Sequence, residues 1–532
     1  MSAYHELHSI FVVHNGAPVE IYISRKYQTK LENNRILIRA VDRHDELLRD
    51  ARVASFTCLF GENGSGKTKL LMDLATTFSE GSKTKQIGVL FSVDGELYLH
   101  RGKALANMSL DTAGLYAEPR IPRDVPIVFY TTSPFDNERR RILKRLNVAD
   151  MTPQYGADRK FDGLSLVLHC DEIGGPGAAI TENLKITVRG RVSRERTVER
   201  LLTELLDRFA FDENNSLARA KSMFVNWMRP LPSERKQALM VDLIIISDAE
   251  RNQNVAGKFV GDLMRLADRF IDEPAPPRPG HIVDLARAAI IQSNFIRFTS
   301  EEVLYGLQAI QRNLTPNKNA VNFTIQAVPS DIRGALDAVE EVQPGLVRFL
   351  ADFGFIDFKL SKLSSGETAF LYLFSALGAA MDKIARRGSD GPMWLMLDEG
   401  EMFMHPAWQR EYVQNILDFI GQLKPTGLDV HVMLTTHSLI VAADAPPRSL
   451  FNVQHGQRMN GFGLGPAATL HALYGVNEFA GEHASPMVGE LTTFLRDPRQ
   501  PVTERILQLR NALADLDLKR YVEQTILNRR QA

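Results

Sequence analysis

The sequence predicts an α/β fold. A buried parallel sheet is assembled from the two ends of the chain, with an antiparallel β subdomain beside it and a mostly helical insertion between. Three observations predict this. A glycine-rich turn, Gly61-Glu62-Asn63-Gly64-Ser65-Gly66-Lys67-Thr68, stands between a strand-like and a helix-like segment. Two short unbroken apolar runs, 393–397 and 430–434, each end in polar residues, as strands buried on both faces of a parallel sheet do. Between these halves, Val198, Leu201, Leu202, Leu205, Leu206 and Phe209 fall on one helical face.

In chain order, residues 1–134 read as strands around the glycine-rich turn. Residues 54–60 form a buried strand entering it, and 69–75 a helix leaving it. Residues 88–93 and 96–99, joined by Asp94-Gly95, predict a hairpin. The turn fits G-x-x-x-x-G-K-[ST] without a mismatch. Glycines let the backbone curl so that N–H groups face a phosphate, and the helix start adds positive potential. Gly61, Asn63, Gly64, Ser65 and Gly66 supply that cradle. Lys67 is placed to reach the β- and γ-phosphates, and the Thr68 hydroxyl to ligate Mg²⁺.

Residues 135–330 carry no such motif. Glu273-Pro274-Ala275-Pro276-Pro277-Arg278-Pro279-Gly280 breaks any helix there. No sustained heptads occur, so a long coiled-coil arm is not expected. Arg139, Arg140, Arg141, Lys144 and Arg145 form one basic cluster, and Arg191, Arg194, Arg196 and Arg200 another. Interleaved Glu138, Glu195 and Glu199 favour a solvated helix face over a nucleic-acid surface.

Residues 331–532 return to the α/β core. Leu363-Ser364-Ser365-Gly366-Glu367 precedes a helix over 368–381, and Ser364 with Glu367 suits a capping box. A helix start with a serine and a glycine can also receive a γ-phosphate. The 393–397 strand ends in Asp398, a Mg²⁺-shell residue, and Glu399, placed to orient or deprotonate a water. The 430–434 strand ends in Thr435, Thr436 and His437, where α/β sheets bind ligands. The segment 502–530 reads as one or two helices.

These motifs, in this order, resemble the ABC-type ATPase superfamily, within its non-transporter branch of RecF-like, SMC-like and overcoming-lysogenization-defect-like heads. There Leu-Ser-x-Gly-[Gln/Glu] is a signature motif, matched by Leu363 to Glu367. The resemblance implies that Ser364 and Gly366 close over the nucleotide of a second chain, in a dimer holding two ATP molecules. Ser365 stands where the signature usually has glycine, and 128–136 lies where a glutamine loop should fall. The run Asp398-Glu399-Gly400-Glu401 followed by His405-Pro406 resembles prokaryotic ATPases of antiphage systems, including Septu and retron-associated subunits.

Composition agrees with a cytoplasmic enzyme. Of 532 residues, 44% are hydrophobic and 24% charged, and the net charge is −1. Cys58 and Cys170 make no disulfide scaffold. No signal peptide opens the chain, and no uninterrupted apolar run reaches the ~18 residues of a membrane span. Three functions follow: an ATPase restraining or licensing a separate effector such as a nuclease, a DNA-repair ATPase clamping DNA, and, weakest, a transporter ATPase.

Overall fold

The computed structural model describes the chain apart from residues 1–4, 24–25, 33–34, 41–52, 63, 81–86, 111–114, 118–124, 133–142, 144–147, 153–162, 193–194, 210–221, 224–225, 228–229, 248, 270–280, 292–296, 362, 387–390, 424–426, 462–463, 465–467, 470, 472–483 and 532. Asn63, the Pro-rich 273–280 stretch and the Arg139 cluster lie outside the described residues.

The fold is mixed α/β. Its central sheet has seven strands in the order Val148–Asp150, Ile127–Thr131, Gly391–Asp398, Leu428–Thr436, Ser55–Phe60, Leu450–Asn452 and Gln457–Met459. The first six run parallel and the last antiparallel. Residues 393–397 and 430–434 were legible as buried strands because both faces of this sheet are covered: every residue of Gly391–Asp398 is buried. The register aligns Thr131 with Asp398 and Asp398 with Thr435, while Phe60 sits beside Thr436 and Asn452. The ends of five strands therefore lie side by side along one edge of the sheet.

A five-stranded sheet, ordered Ala17–Tyr22, His5–His14, Gly88–Val93, Glu96–His100 and Leu115–Ala117, is antiparallel except for its last pair. Its hairpin is the expected one. Asp94 and Gly95 both take positive φ, 49° and 88°, as a type I′ turn requires. A smaller sheet joins Tyr27–Glu32, Arg35–Ala40 and Ser109–Leu110.

The helix after the glycine-rich turn spans Lys67–Glu80. The helix after Ser364 spans Ser365–Ala385, and Ser364 and Glu367 form the capping box the sequence suggested. By length and composition the latter could cross a membrane, but 61% of its most apolar stretch is buried inside this protein. Phe374 there lies 4.7 Å from the Phe370 ring and 5.0 Å from that of Phe419. The helix is thus covered by its own protein rather than left with an unpartnered apolar face.

The described part of 135–330 is mostly helical, and Glu195–Phe209 buries Leu202, Leu205 and Leu206 as the periodicity indicated. It also lends strands. Val148–Asp150 joins the central sheet, and Ile186–Gly190 pairs with both Phe323–Ala327 and Ile356–Leu360. Such short strands are fixed by their partners rather than by local propensity. One apolar cluster runs without a break from Leu395 and Val432 through Phe374 to Leu205, Leu239 and Phe259. By contrast, the helices Ser485–Arg496, Glu504–Ala512 and Leu516–Gln531 enclose a cluster of their own, around Phe494, Leu509 and Val522.

One group opposes this packing. Asp242, in the helix Ser233–Ser247, is buried, and its Oδ2 has no hydrogen-bond partner among the described residues. Burial pushes its pKa from 3.8 up to about 7, against the pull of Ser300 and Arg287. The protonated acid is therefore the form the fold prefers. Its contribution is fully present below about pH 3.8 and is lost as pH rises through about 7. Asp242→Asn should equal the parent in thermal stability near pH 4 and exceed it near pH 8. A gap that stays constant with pH would show that Asp242 ionises normally.

Candidate functional site

The glycine-rich turn leaves the central sheet at Phe60 and enters the helix at Lys67. Gly64 and Gly66 take φ of 80° and 92°, backbone that side chains rarely adopt. A Cβ at either would meet nothing within 4 Å, so the demand is conformational rather than steric. The open side of the turn adjoins a cavity of about 340 Å³, lined by Val13, His14, Ser65, Gly66, Lys69 and Phe451 among others.

Asp398 is 1% exposed and accepts from three hydroxyls. Thr68 Oγ1 donates at 2.8 Å to Oδ1 and lies 3.1 Å from Oδ2, Thr131 Oγ1 donates at 2.9 Å to Oδ2, and Thr435 Oγ1 donates at 2.8 Å to Oδ1. The strand register delivers two of these donors and the helix start the third. This satisfies a buried carboxylate that would otherwise be costly.

Glu399 follows with φ of 53°, a left-handed conformation unusual for a residue with a side chain. Its N–H donates to Thr435 O at 3.2 Å and Oγ1 at 3.1 Å, and its carbonyl accepts from Thr132 Oγ1 at 2.8 Å. Backbone strain held in place by surrounding bonds is characteristic of functional positions.

Lys67 is 5% exposed. Its Nζ donates to Gly61 O at 3.0 Å and Glu62 O at 3.1 Å, and lies 2.8 Å from His437 Nε2. His437 Nε2 is also 3.0 Å from Glu399 Oε1. A lysine ammonium only donates and a carboxylate only accepts, so one ring nitrogen satisfies one of them at a time. Neutral at Nε2, the ring accepts from Lys67; protonated there, it donates to Glu399. A competing anion that drew Lys67 away would switch the histidine toward Glu399.

The structure thus brings together Lys67, Thr68, Asp398, Glu399 and His437. Ser364 and Gly366 join none of these bonds. Ser364 Oγ accepts from Glu367 N at 3.2 Å and so caps its own helix. A Cβ on Gly366 would meet Phe403 O at 3.1 Å. Two contributors were missed as named site residues: Thr131, on Asp398, and Glu401, beside Thr436. Only strand register reveals the first; the second carried a signal in its spacing from Asp398.

The donor set on Thr68 and Asp398 is hard oxygen, suited to a hydrated divalent cation. Among the described residues, no three His, Cys, Asp or Glu converge as a metal cage.

No family model matches the sequence, and no curated protein does. Among solved structures the chain is similar to the recombination mediator protein RecF with ATP in the RecFOR pathway. Identity is 10%, the TM-score 0.21, and the match covers 86% of this chain and 99% of that one. So low a TM-score does not establish a common fold.

Burial depresses the pKa of Lys67, against the pull of Glu399, Asp398 and Glu401. A buried ammonium with a lowered pKa costs stability while charged. Lys67→Met should therefore leave the ligand-free chain at least as resistant to thermal unfolding as the parent at pH 7. A clearly lower midpoint would mean that its bonds to Gly61, Glu62 and His437 outweigh desolvation.

Proposed function

We propose that this chain is an ABC-type ATPase. Residues 1–134 and 331–532 form its head, with 135–330 as an insertion. It binds ATP in a nucleotide-sandwich homodimer and works as the cytoplasmic regulatory subunit of an antiphage system, governing a separately encoded effector such as a nuclease. The observation that carries the ATPase reading is the convergence of Lys67, Thr68, Asp398, Glu399 and His437 at one edge of a parallel sheet. The effector reading rests on the Asp398-Glu399-Gly400-Glu401…His405-Pro406 pattern and on the lack of any recognisable nuclease motif in the sequence.

The residues fit their ligand. Gly64, Ser65 and Gly66 curve around phosphate oxygens, and Lys67 exchanges its carbonyl partners for the β- and γ-phosphates. The neighbouring cavity of about 340 Å³ receives the rest of the nucleotide. Thr68 and Asp398 would hold Mg²⁺, which supplies charge neutralisation on the phosphates. Glu399 orients a water and takes its proton as the water oxygen attacks the γ-phosphorus; the β–γ bridging oxygen leaves with ADP. His437, released from Lys67, meets the γ-phosphate. Ser364 and Gly366, at the start of their helix, cover it from the second protomer.

Lys67→Ala should abolish ATP binding, whereas Glu399→Gln should bind ATP and hydrolyse it at least ~100-fold more slowly. Mixing Lys67→Ala with Ser364→Arg chains, each inactive alone, should recover part of the ATPase rate. That follows because one composite site per heterodimer stays intact. Equal rates for Glu399→Gln and parent defeat the catalytic assignment. Absence of recovery in a demonstrated heterodimer defeats the shared site.

A further inference from the structure

Glu401 is buried, 3% exposed, one turn beyond Asp398. Its Oε1 accepts from the Thr436 hydroxyl, and its Oε2 has no hydrogen-bond partner among the described residues. Cys58 and Tyr412 stand near it, both buried, and Glu399 and His437 act on it electrostatically. Burial pushes its pKa up to about 7, the Thr436 hydrogen bond pulling the other way. An apolar side chain would fill this space without the cost of burying an acid. Packing alone therefore does not account for a carboxyl here.

The hydrogen bonds around it form a closed circuit. Thr436 Oγ1 donates to Glu401 and accepts from Ser438 N at 2.9 Å. Ser438 Oγ donates to Gln409 Oε1 at 2.7 Å. Gln409 Nε2 returns to the carbonyl of Glu401 at 3.5 Å and that of Met404 at 3.1 Å. Thr436 and Ser438 flank His437 in the chain, so the circuit holds the backbone on both sides of it. The ring itself stands between Lys67 and Glu399.

We propose that Glu401 is a positioning residue for His437: through Thr436 and Ser438 it fixes where the imidazole stands between Lys67 and Glu399. The proposal rests on the ATPase reading for its catalytic consequence, but its structural content stands without it. A carboxyl one turn past the strand end ties the turn after Glu399 to the strand that carries His437. Loss of the tie lets the imidazole wander from both partners, which slows turnover without weakening ATP binding.

The test uses the full chain and four substitutions. Glu401→Ala and Thr436→Val should each lower kcat about tenfold with KM within about twofold. Glu401→Gln keeps an acceptor oxygen for Thr436 and should restore kcat to within about threefold of the parent. Placed on His437→Ala, Glu401→Ala should cost less than about twofold more, because what it positions is already gone. Independently of hydrolysis, the His437 imidazole NMR resonance of the nucleotide-free chain should shift in Glu401→Ala and return in Glu401→Gln. It is assigned by its loss in His437→Ala. A tenfold loss added on top of His437→Ala, or an unmoved resonance in Glu401→Ala, overturns the proposal. Should Glu401→Ala fail to fold, Thr436→Val carries the same comparisons with the carboxyl retained. A parent that hydrolyses no ATP defeats the ATPase reading, and the resonance still decides the role of Glu401.

Discussion

Asp398 and the three hydroxyls around it are the constraint on which the rest of this structure depends. A carboxylate at 1% exposure is stable only if its lone pairs are met. Here they are met by Thr68 from the helix after the glycine-rich turn, and by Thr131 and Thr435 from the two neighbouring strands. Those donors are 330, 267 and 37 residues away in the chain. Satisfying one carboxylate therefore fixes the register of three parallel strands and docks the Lys67 helix start onto them. A slip of one residue in either strand would turn its threonine to the opposite face of the sheet.

The same edge concentrates features that cost stability. Lys67 is buried with a depressed pKa, Glu399 sits in left-handed backbone, and Glu401 is a buried acid with an oxygen left unpartnered. None of these is what packing would select. Each is held by the well-packed sheet behind it, where Trp394, Met396, Val432 and Leu434 are almost fully buried. An anion bound in the turn would take over from the carbonyls and the histidine that Lys67 contacts, and would relieve part of that cost.

His437 joins the two charge systems at this rim. Its Nε2 cannot serve Lys67 and Glu399 together, so the position of the lysine bears on which partner that nitrogen takes. This gives the site two arrangements with different partners, the requirement for any ligand to bias a conformational equilibrium. The unbroken apolar cluster from Leu395 to Phe259 offers a continuous packed route from that edge into the helical insertion.

The sequence by itself determined the buried strands, the glycine-rich turn, the hairpin at Asp94-Gly95 and the capping box at Ser364. Each is encoded locally: unbroken apolar runs, glycines where φ is positive, and a serine three residues before a glutamate. It also singled out Lys67, Thr68, Asp398, Glu399 and His437 by residue type and by position at strand and helix ends, and the structure brings these five together. What only the tertiary structure decided is non-local. The pairing of Ile186–Gly190 with Ile356–Leu360, the Thr131 hydroxyl on Asp398, the left-handed backbone of Glu399 and the circuit through Glu401 all depend on partners far along the chain. Short strands and single hydroxyls have no periodicity of their own, so their roles appear only once the sheet has set which residues face one another.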